Sequence, residues 1–269
     1  MARKKRGSGG RGSGRGRRRR QQRVEYEEMD KYPVMPPHAF ARVVRDMRSL
    51  NIIYQIIEPP LTKKEEEYRQ EIMEIFVKSL TAAINDIDAD PIAYLRTAMD
   101  KIIKSYGMKV SKKSKSKIFY YLRRDLIGYG RMDVMMNDPN VEDVSCDGTD
   151  VPIFAYHRKF ESVETTCKWE TDDILESFVI KLAQRCGKHI SIAEPLLDAT
   201  LMDGSRIIMK LGREVSTRGS SFCIRRFKDD PFSPCDIVAF RTMSSLMVAY
   251  LWIAFQNEVS MLFVGGTAS

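Results

Sequence analysis

The sequence predicts an α+β protein: a mostly helical stretch, then short strands and helices around a mainly antiparallel sheet, then the opening of a third unit. Three observations predict it. Apolar residues recur at helical spacing over 68–83 and again over 94–103. Further on the rhythm shortens to brief strands punctuated by Asp147-Gly148, Arg158-Lys159 and Asp203-Gly204. Near residue 265 a continuous apolar run breaks into Gly265-Gly266, the pattern of a strand buried in a parallel sheet.

A chain of 269 residues is long enough for two modest domains with their own cores. A content of 43% hydrophobic and 30% charged residues fits a globular protein. The net charge of +8 belongs to one place. Residues 1–23 hold eleven Lys or Arg and no acid, and the remaining 33 basic residues face 36 acidic ones, so the body carries about −3. The segment 1–24 is therefore expected to be a disordered basic Gly/Ser/Arg tail, too poor in apolar side chains to offset its ordering entropy. Such a tail suits contact with an anionic membrane or a nucleic acid, and nothing in it selects between them.

Residues 25–111 are expected to be mostly helical, after a short extended stretch around 51–57. Thr62 and Glu65 form a capping box ahead of Tyr68, Ile72, Ile75, Phe76, Leu80 and Ala83. Asp90-Pro91 opens a second helix over Tyr94, Leu95, Met99, Ile102 and Ile103, which ends at Gly107. The polar run Lys109–Lys117 predicts a loop. Residues 112–228 form the α+β domain. A helix ends at Gly128, three strands follow in "VEDVSCDG", "VPIFAYHR" and "FESVETT", and Thr171 caps a helix closed by Gly187. "PLLDATLM" and "SRIIMKL" flank Asp203-Gly204 as a hairpin, and "SFCIRRF" adds a strand. Residues 229–269, beyond Pro231 and Pro234, predict a linker, two helices over 236–240 and 244–255, and the strand Met261–Val264.

The chemistry concentrates in two places. Gly265, Gly266, Thr267, Ala268 and Ser269 supply the first glycine and the spacers of a phosphate-binding loop, G-x-x-x-x-G-K-[ST]. An ordinary turn reads the same way. Arg206, Arg213, Arg218, Arg225 and Arg226 lie close in sequence among Gly204, Gly212 and Gly219. Their planar guanidinium forks match phosphate oxygens, although paired surface arginines would show the same composition. Five cysteines without a CxxC pair and three scattered histidines offer no metal-ligand spacing, and the thiols are expected to be reduced. The basic start is not followed by an apolar segment, and the longest apolar stretch, Leu246–Phe255, is about half of what a bilayer crossing needs.

"GYGRMDVMMNDPNVEDVSCDG", "VPIFAYHR", "EPLLDATLMDGSRI" and "LGREVSTRGSSFCIRRF" resemble the archaeal secretion ATPases of the type II/IV superfamily, the motors of archaella, archaeal type IV pili and related exporters. The resemblance spans about residues 50–269. It implies a homo-hexameric ring, cytoplasmic and peripheral to the inner face of the cell membrane, working with a polytopic membrane platform protein. It places ATP and Mg2+ between the amino-terminal domain and a RecA-like domain whose first strand and Walker A loop would be residues 261–269. Arg206, Arg213, Arg218, Arg225 and Arg226 become phosphate contacts by the same resemblance, and Phe227 and Lys228 fall at the interdomain hinge. The Walker A lysine, its hydroxyl neighbour and the Walker B acid do not occur in this sequence, so hydrolysis by this chain alone is not expected. The alternatives are a non-catalytic interaction module of the same ancestry and a polyanion binder acting through its basic tail.

Overall fold

The computed structural model describes residues 26–79, 90–227 and 232–265. Over 26–227 nine strands form one sheet in the order β1-β2-β3-β6-β5-β4-β9-β8-β7. They are β1 (Tyr26–Met35), β2 (Ala39–Asp46), β3 (Ile52–Ile57), β4 (Val141–Cys146), β5 (Pro152–His157), β6 (Glu161–Lys168), β7 (Leu196–Thr200), β8 (Arg206–Lys210) and β9 (Ser221–Arg225). Every pairing is antiparallel except β3 with β6, where Ile53 faces Glu164 and Tyr54 faces Thr165. A parallel pair needs a long crossover, and the chain uses it to lay down helices α1 (Lys63–Ser79), α2 (Pro91–Ser105) and α3 (Lys112–Leu126). A single 3-10 turn at Gly130–Met132 and the short α4 (Asp133–Asn137) lead into β4, and α5 (Asp172–Arg185) follows β6.

The first strands correct one expectation. Residues 26–50, read as part of a mostly helical stretch, supply strands β1 and β2, which form an antiparallel meander with β3, the extended stretch expected around 51–57. The expected boundary at 111/112 therefore lies between strands of one continuous sheet. The signal was weak for a physical reason: β1 is an edge strand, so it tolerates Pro33 and carries Glu27, Glu28, Asp30 and Lys31 where a central strand would alternate cleanly. Two of those acids pair with β2, Glu28 with Arg42 at 2.6 Å and Glu27 with Arg45 at 3.4 Å. A second correction concerns Lys109–Lys117. Lys112–Lys117 are already helical, because Ser111 caps α3 by accepting from Ser114 N at 3.1 Å. Serines that suggested a loop act as the helix start. The predicted Leu80 and Ala83 of the first helix lie outside the described residues.

Two cores result. The larger sits on one face of the sheet, where Tyr54, Val144, Ile153, Ile207 and Ile224 meet Met132 and Met135 with Leu175, Val179 and Leu182 of α5. The smaller lies among α1–α3, built from Ile72, Phe76, Leu95, Met99, Ile118 and Leu122. Helix α3 joins them: Ile118 and Leu122 serve the helical core, while Tyr120 turns to Ala39 and Val134. Arg124 reinforces this seam with bonds to Glu58 at 2.7 Å and Asp125 at 2.8 Å, and Arg69 of α1 reaches Asp125 at 3.0 Å.

A buried polar knot fastens the meander to the rest. Asp138, fully buried after α4, accepts from Tyr32 Oη at 2.6 Å and Tyr54 Oη at 2.7 Å. The Tyr32 hydroxyl also lies 2.9 Å from His157 Nε2, and His157 Nδ1 accepts from Lys159 N at 3.1 Å. Burial lowers the basicity of His157, which favours the neutral ring with its proton on Nε2. Burial first, then the Asp138 carboxylate, raises the pKa of both tyrosines.

Residues 232–265 contribute α6 (Pro234–Ala239) and α7 (Ser245–Gln256). Ser233 and Asp236 make a reciprocal capping box, and Ser244 caps α7. Neither helix buries a residue. The expected strand at Met261–Val264 does not form, and no start of a RecA-like sheet is seen among the described residues. A strand satisfies its backbone groups only through a neighbour, and this segment has none among the described residues.

Candidate functional site

The arginines predicted to contact phosphate sit around the β8–β9 hairpin. Strand alternation sends Ile207 and Met209 of β8, and Phe222 and Ile224 of β9, into the core. It leaves Arg206, Ile208, Lys210, Cys223 and Arg225 outside. Arg206 and Arg225 are directly opposed in the register. Like charges facing each other across two strands repel, so this placement does not favour the sheet itself. Arg225 is partly neutralised by its other neighbour, Asp143 of β4, through Nε–H to Oδ1 at 3.1 Å. The Arg206 side chain has no ion pair among the described residues.

Arg213 and Arg218 lie in the loop at the other end of the hairpin. The five residues of β8, about four rises, separate the two ends by roughly 13 Å. The loop begins and ends on glycines with left-handed backbone, Gly212 at φ 81° and Gly219 at φ 91°. Gly212 N donates to Ser220 Oγ at 2.9 Å, and Thr149 N donates to the Arg218 carbonyl at 3.2 Å. Gly148 makes that approach possible, since a Cβ there would stand 2.3 Å from the same carbonyl oxygen. Asp172, in the first turn of α5, completes the clamp. It accepts from Arg213 Nε at 2.6 Å and from Thr149 Oγ1 at 2.5 Å. The Arg213 bond, followed by that of Thr149, holds the Asp172 carboxyl below the usual range.

Arg226 is turned the other way. Its guanidinium donates to the carbonyls of Asp138 and Val141, the latter at 2.8 Å, and so stitches the turn between α4 and β4. Phe227 leaves the sheet beside the Arg206–Arg225 pair. Its N–H donates to Ser205 Oγ at 3.0 Å, and its ring lies over Gly204, where a Cβ would meet it at 3.1 Å. Gly265 is exposed and irregular, while Gly266, Thr267, Ala268 and Ser269 lie outside the described residues, as does Lys228. The five arginines thus divide into an opposed pair at the sheet end, a pair in the loop, and one bound to backbone.

Sequence reasoning did not name Asp143, Thr149 or Asp172. Asp143 could be found only from the strand register. Asp172 follows Thr171, which stands at the helix start as expected although its side chain makes no capping hydrogen bond; nothing there hinted at Arg213, which lies far along the chain. Among the described residues no group of three His, Cys, Asp or Glu could hold a metal ion. No described helix is long and apolar enough to cross a membrane.

No family model matches the chain. Three relatives come from the archaeon Methanocaldococcus jannaschii. The uncharacterized protein MJ1288 is 39% identical over 164 residues, which are 61% of this chain and 65% of that protein. The uncharacterized protein MJ0900 is 30% identical over 236 residues, 80% of this chain and 43% of that one. The uncharacterized protein MJ0781 is 33% identical over 160 residues, 56% of this chain and 21% of that one. The chain therefore spans less than two thirds of each relative it matches. Among solved structures, the VirB11 ATPase from the Brucella suis type IV secretion system aligns at TM-score 0.35 and 18% identity, covering 42% of this chain and 33% of that one. A likeness of that size does not establish a shared fold.

Proposed function

We propose that this chain is the amino-terminal portion of a hexameric ATPase that powers archaeal type II/IV secretion, pilus or archaellum assembly, coupling ATP state to domain motion. The observation that carries the reading is the opposed pair Arg206 and Arg225. Two cations face each other at the end of the sheet where Phe227 leads into the next segment, on the exposed face of strands β8 and β9. An anionic ligand held there would offset a repulsion that the fold otherwise leaves standing. In this reading Arg206 and Arg225 reach phosphate oxygens across the interdomain gap, while Arg213, at the far end of the hairpin, stays with Asp172. Arg226 supports the sheet from behind. ATP and Mg2+ would be held mainly by a continuation of the glycine loop at 265–269. A membrane platform protein and a second copy of the chain are the partners this reading implies.

The test begins with the codons that follow residue 269. A frame that continues Gly-Lys-Thr or Gly-Lys-Ser is expected, and the longer product should hydrolyse ATP with Mg2+. In that product Arg206→Ala and Arg225→Ala should each lower kcat by about 10³-fold, the lower end of what an arginine finger supplies. Arg226→Ala should instead lower stability. A frame without those residues, or arginine variants with unchanged kcat, overturns the proposal.

A further inference from the structure

Between Asp100 and Asp125 the sequence has no acidic residue, and residues 101–117 carry seven lysines. The fold gathers them where α2 ends, turns through residues 106–111 and re-enters as α3. Two of the seven are occupied. Lys115 pairs with Asp100, and Lys117 binds the Pro60 carbonyl at 2.9 Å and Glu65 at 3.4 Å. The ammonium groups of Lys101, Lys104, Lys109, Lys112 and Lys113 are exposed and have no partner among the described residues.

Two of these lysines stand where helix physics disfavours them. Lys112 and Lys113 open α3, whose first turn contains no acid, so their charges add to the positive end of the helix dipole. An acid there would stabilise the helix, and each cation costs a few tenths of a kcal/mol. Nothing in the packing of α2 against α3 requires them, because Leu95, Met99, Ile102, Ile118 and Leu122 make that core. A partner that supplies diffuse negative charge would relieve the whole arrangement.

We infer that the α2–α3 corner is a docking surface for an anionic membrane, with Lys101, Lys104, Lys109, Lys112 and Lys113 facing the lipid headgroups. Charge type favours a headgroup layer over a nucleic acid. All five cations are lysines, compact point charges suited to a diffuse anionic surface, whereas phosphodiester recognition favours arginine forks and stacking aromatics. The corner has one exposed aromatic side chain, Tyr106 at 60% exposure, and its amphipathic ring is of the kind that settles at headgroup level. The inference is independent of the ATPase reading and uses none of its residues.

The experiment is co-sedimentation of the full chain with vesicles of phosphatidylcholine alone and of phosphatidylcholine with 30% (about one lipid in three) phosphatidylglycerol, a composition set by the surface potential to be matched. One variant changes the five lysines to glutamine. A second changes Arg15, Arg17, Arg18, Arg19 and Arg20 to glutamine, so that the basic tail is weakened by the same charge. At about 1 kcal/mol per cation near an anionic surface, the lysine variant should lose at least about tenfold in partition coefficient. The tail variant should keep corner-dependent binding, and added salt should weaken both. Far-ultraviolet circular dichroism reports whether α2 and α3 remain folded. If the quintuple variant loses helix, the pair Lys112→Gln and Lys113→Gln, which removes unfavourable dipole charge, gives the reading instead. Equal binding by wild type and lysine variants overturns the inference. So does equal binding to neutral vesicles, or a loss confined to oligonucleotide binding.

Discussion

Residues 26–227 and residues 232–265 are both rich in large apolar side chains, and they dispose of them in opposite ways. In the first stretch Tyr54, Ile72, Ile153, Leu175 and Ile207 are fully buried. In the second Leu246, Trp252, Phe255, Leu262 and Val264 are all more than half exposed. Local structure does not follow this divide. Helices α6 and α7 form with proper caps although neither buries a residue, while the strand expected at Met261–Val264 does not form. A helix closes its hydrogen bonds within itself, whereas a strand closes them only against another strand. The difference separates what this sequence specifies locally from what it specifies only with a partner.

The sharpest way to break the comparison is to damage the polar knot of the first stretch. Asp138→Ala removes the acceptor shared by Tyr32 and Tyr54, leaving Tyr54 without its partner and Tyr32 with only His157, so it should cost about 2–4 kcal/mol in urea denaturation. Tyr54→Phe removes only one donor and should cost about 1 kcal/mol. Similar values for both would mean that Asp138 does not organise the knot and that the meander is held by apolar packing.

A smaller effect is expected at the clamp on the 211–220 loop. Gly148 has φ 129°, and a Cβ there would lie 2.3 Å from the Arg218 carbonyl oxygen. Gly148→Ala should therefore cost about 2–3 kcal/mol and speed hydrogen exchange at Thr149 N, which donates to that carbonyl. Unchanged exchange would show that the loop is anchored by Arg213 and Asp172 alone.

The capping box of α1 offers a test with a defined pH window. Thr62 N donates to Glu65 Oε2 at 2.8 Å, and this bond is the chief reason the carboxyl pKa falls to about 2. A folded-state pKa below the unfolded one means that the unfolded chain binds the proton more readily. The contribution is thus complete above about 4.3 and is lost as pH falls towards the folded value. Glu65→Gln should cost about 1 kcal/mol at neutral pH and should flatten the slope of stability between those limits. An unchanged acid slope would mean that the box is open in solution.

These tests also mark how far the sequence was legible. The capping pairs Thr62–Glu65 and Asp90-Pro91 and the Asp203-Gly204 hairpin were readable because each is fixed by neighbours in sequence, and strands β4–β9 because short apolar alternation is bounded by turn residues. Of the meander only β3 was, as the extended stretch around 51–57, while β1 and β2 were not, because the edge strand carries charges that interrupt the alternation. For the site, the arginines were legible as a cluster and their separation was not. Arg206 and Arg225 meet through strand register, Arg213 is drawn to Asp172 across 41 positions, and Arg226 turns to backbone carbonyls. Composition names the guanidinium groups, and the sheet decides which of them can share a ligand.

The smallest expected effect is the most direct test of the contrast itself. Trp252 of α7 is 62% exposed, and no buried residue lies in its helix. Trp252→Ser should change the stability of the chain by no more than about 0.5 kcal/mol, the usual range for a surface site. It should also raise solubility and reduce binding of a hydrophobic dye, because it interrupts an apolar surface that includes Phe255. A loss of about 2 kcal/mol or more, the cost of emptying a packed site, would reverse the reading of this segment. It would mean that α7 is buried in solution against another copy or against the sheet, and that residues 232–265 complete the fold instead of awaiting a partner.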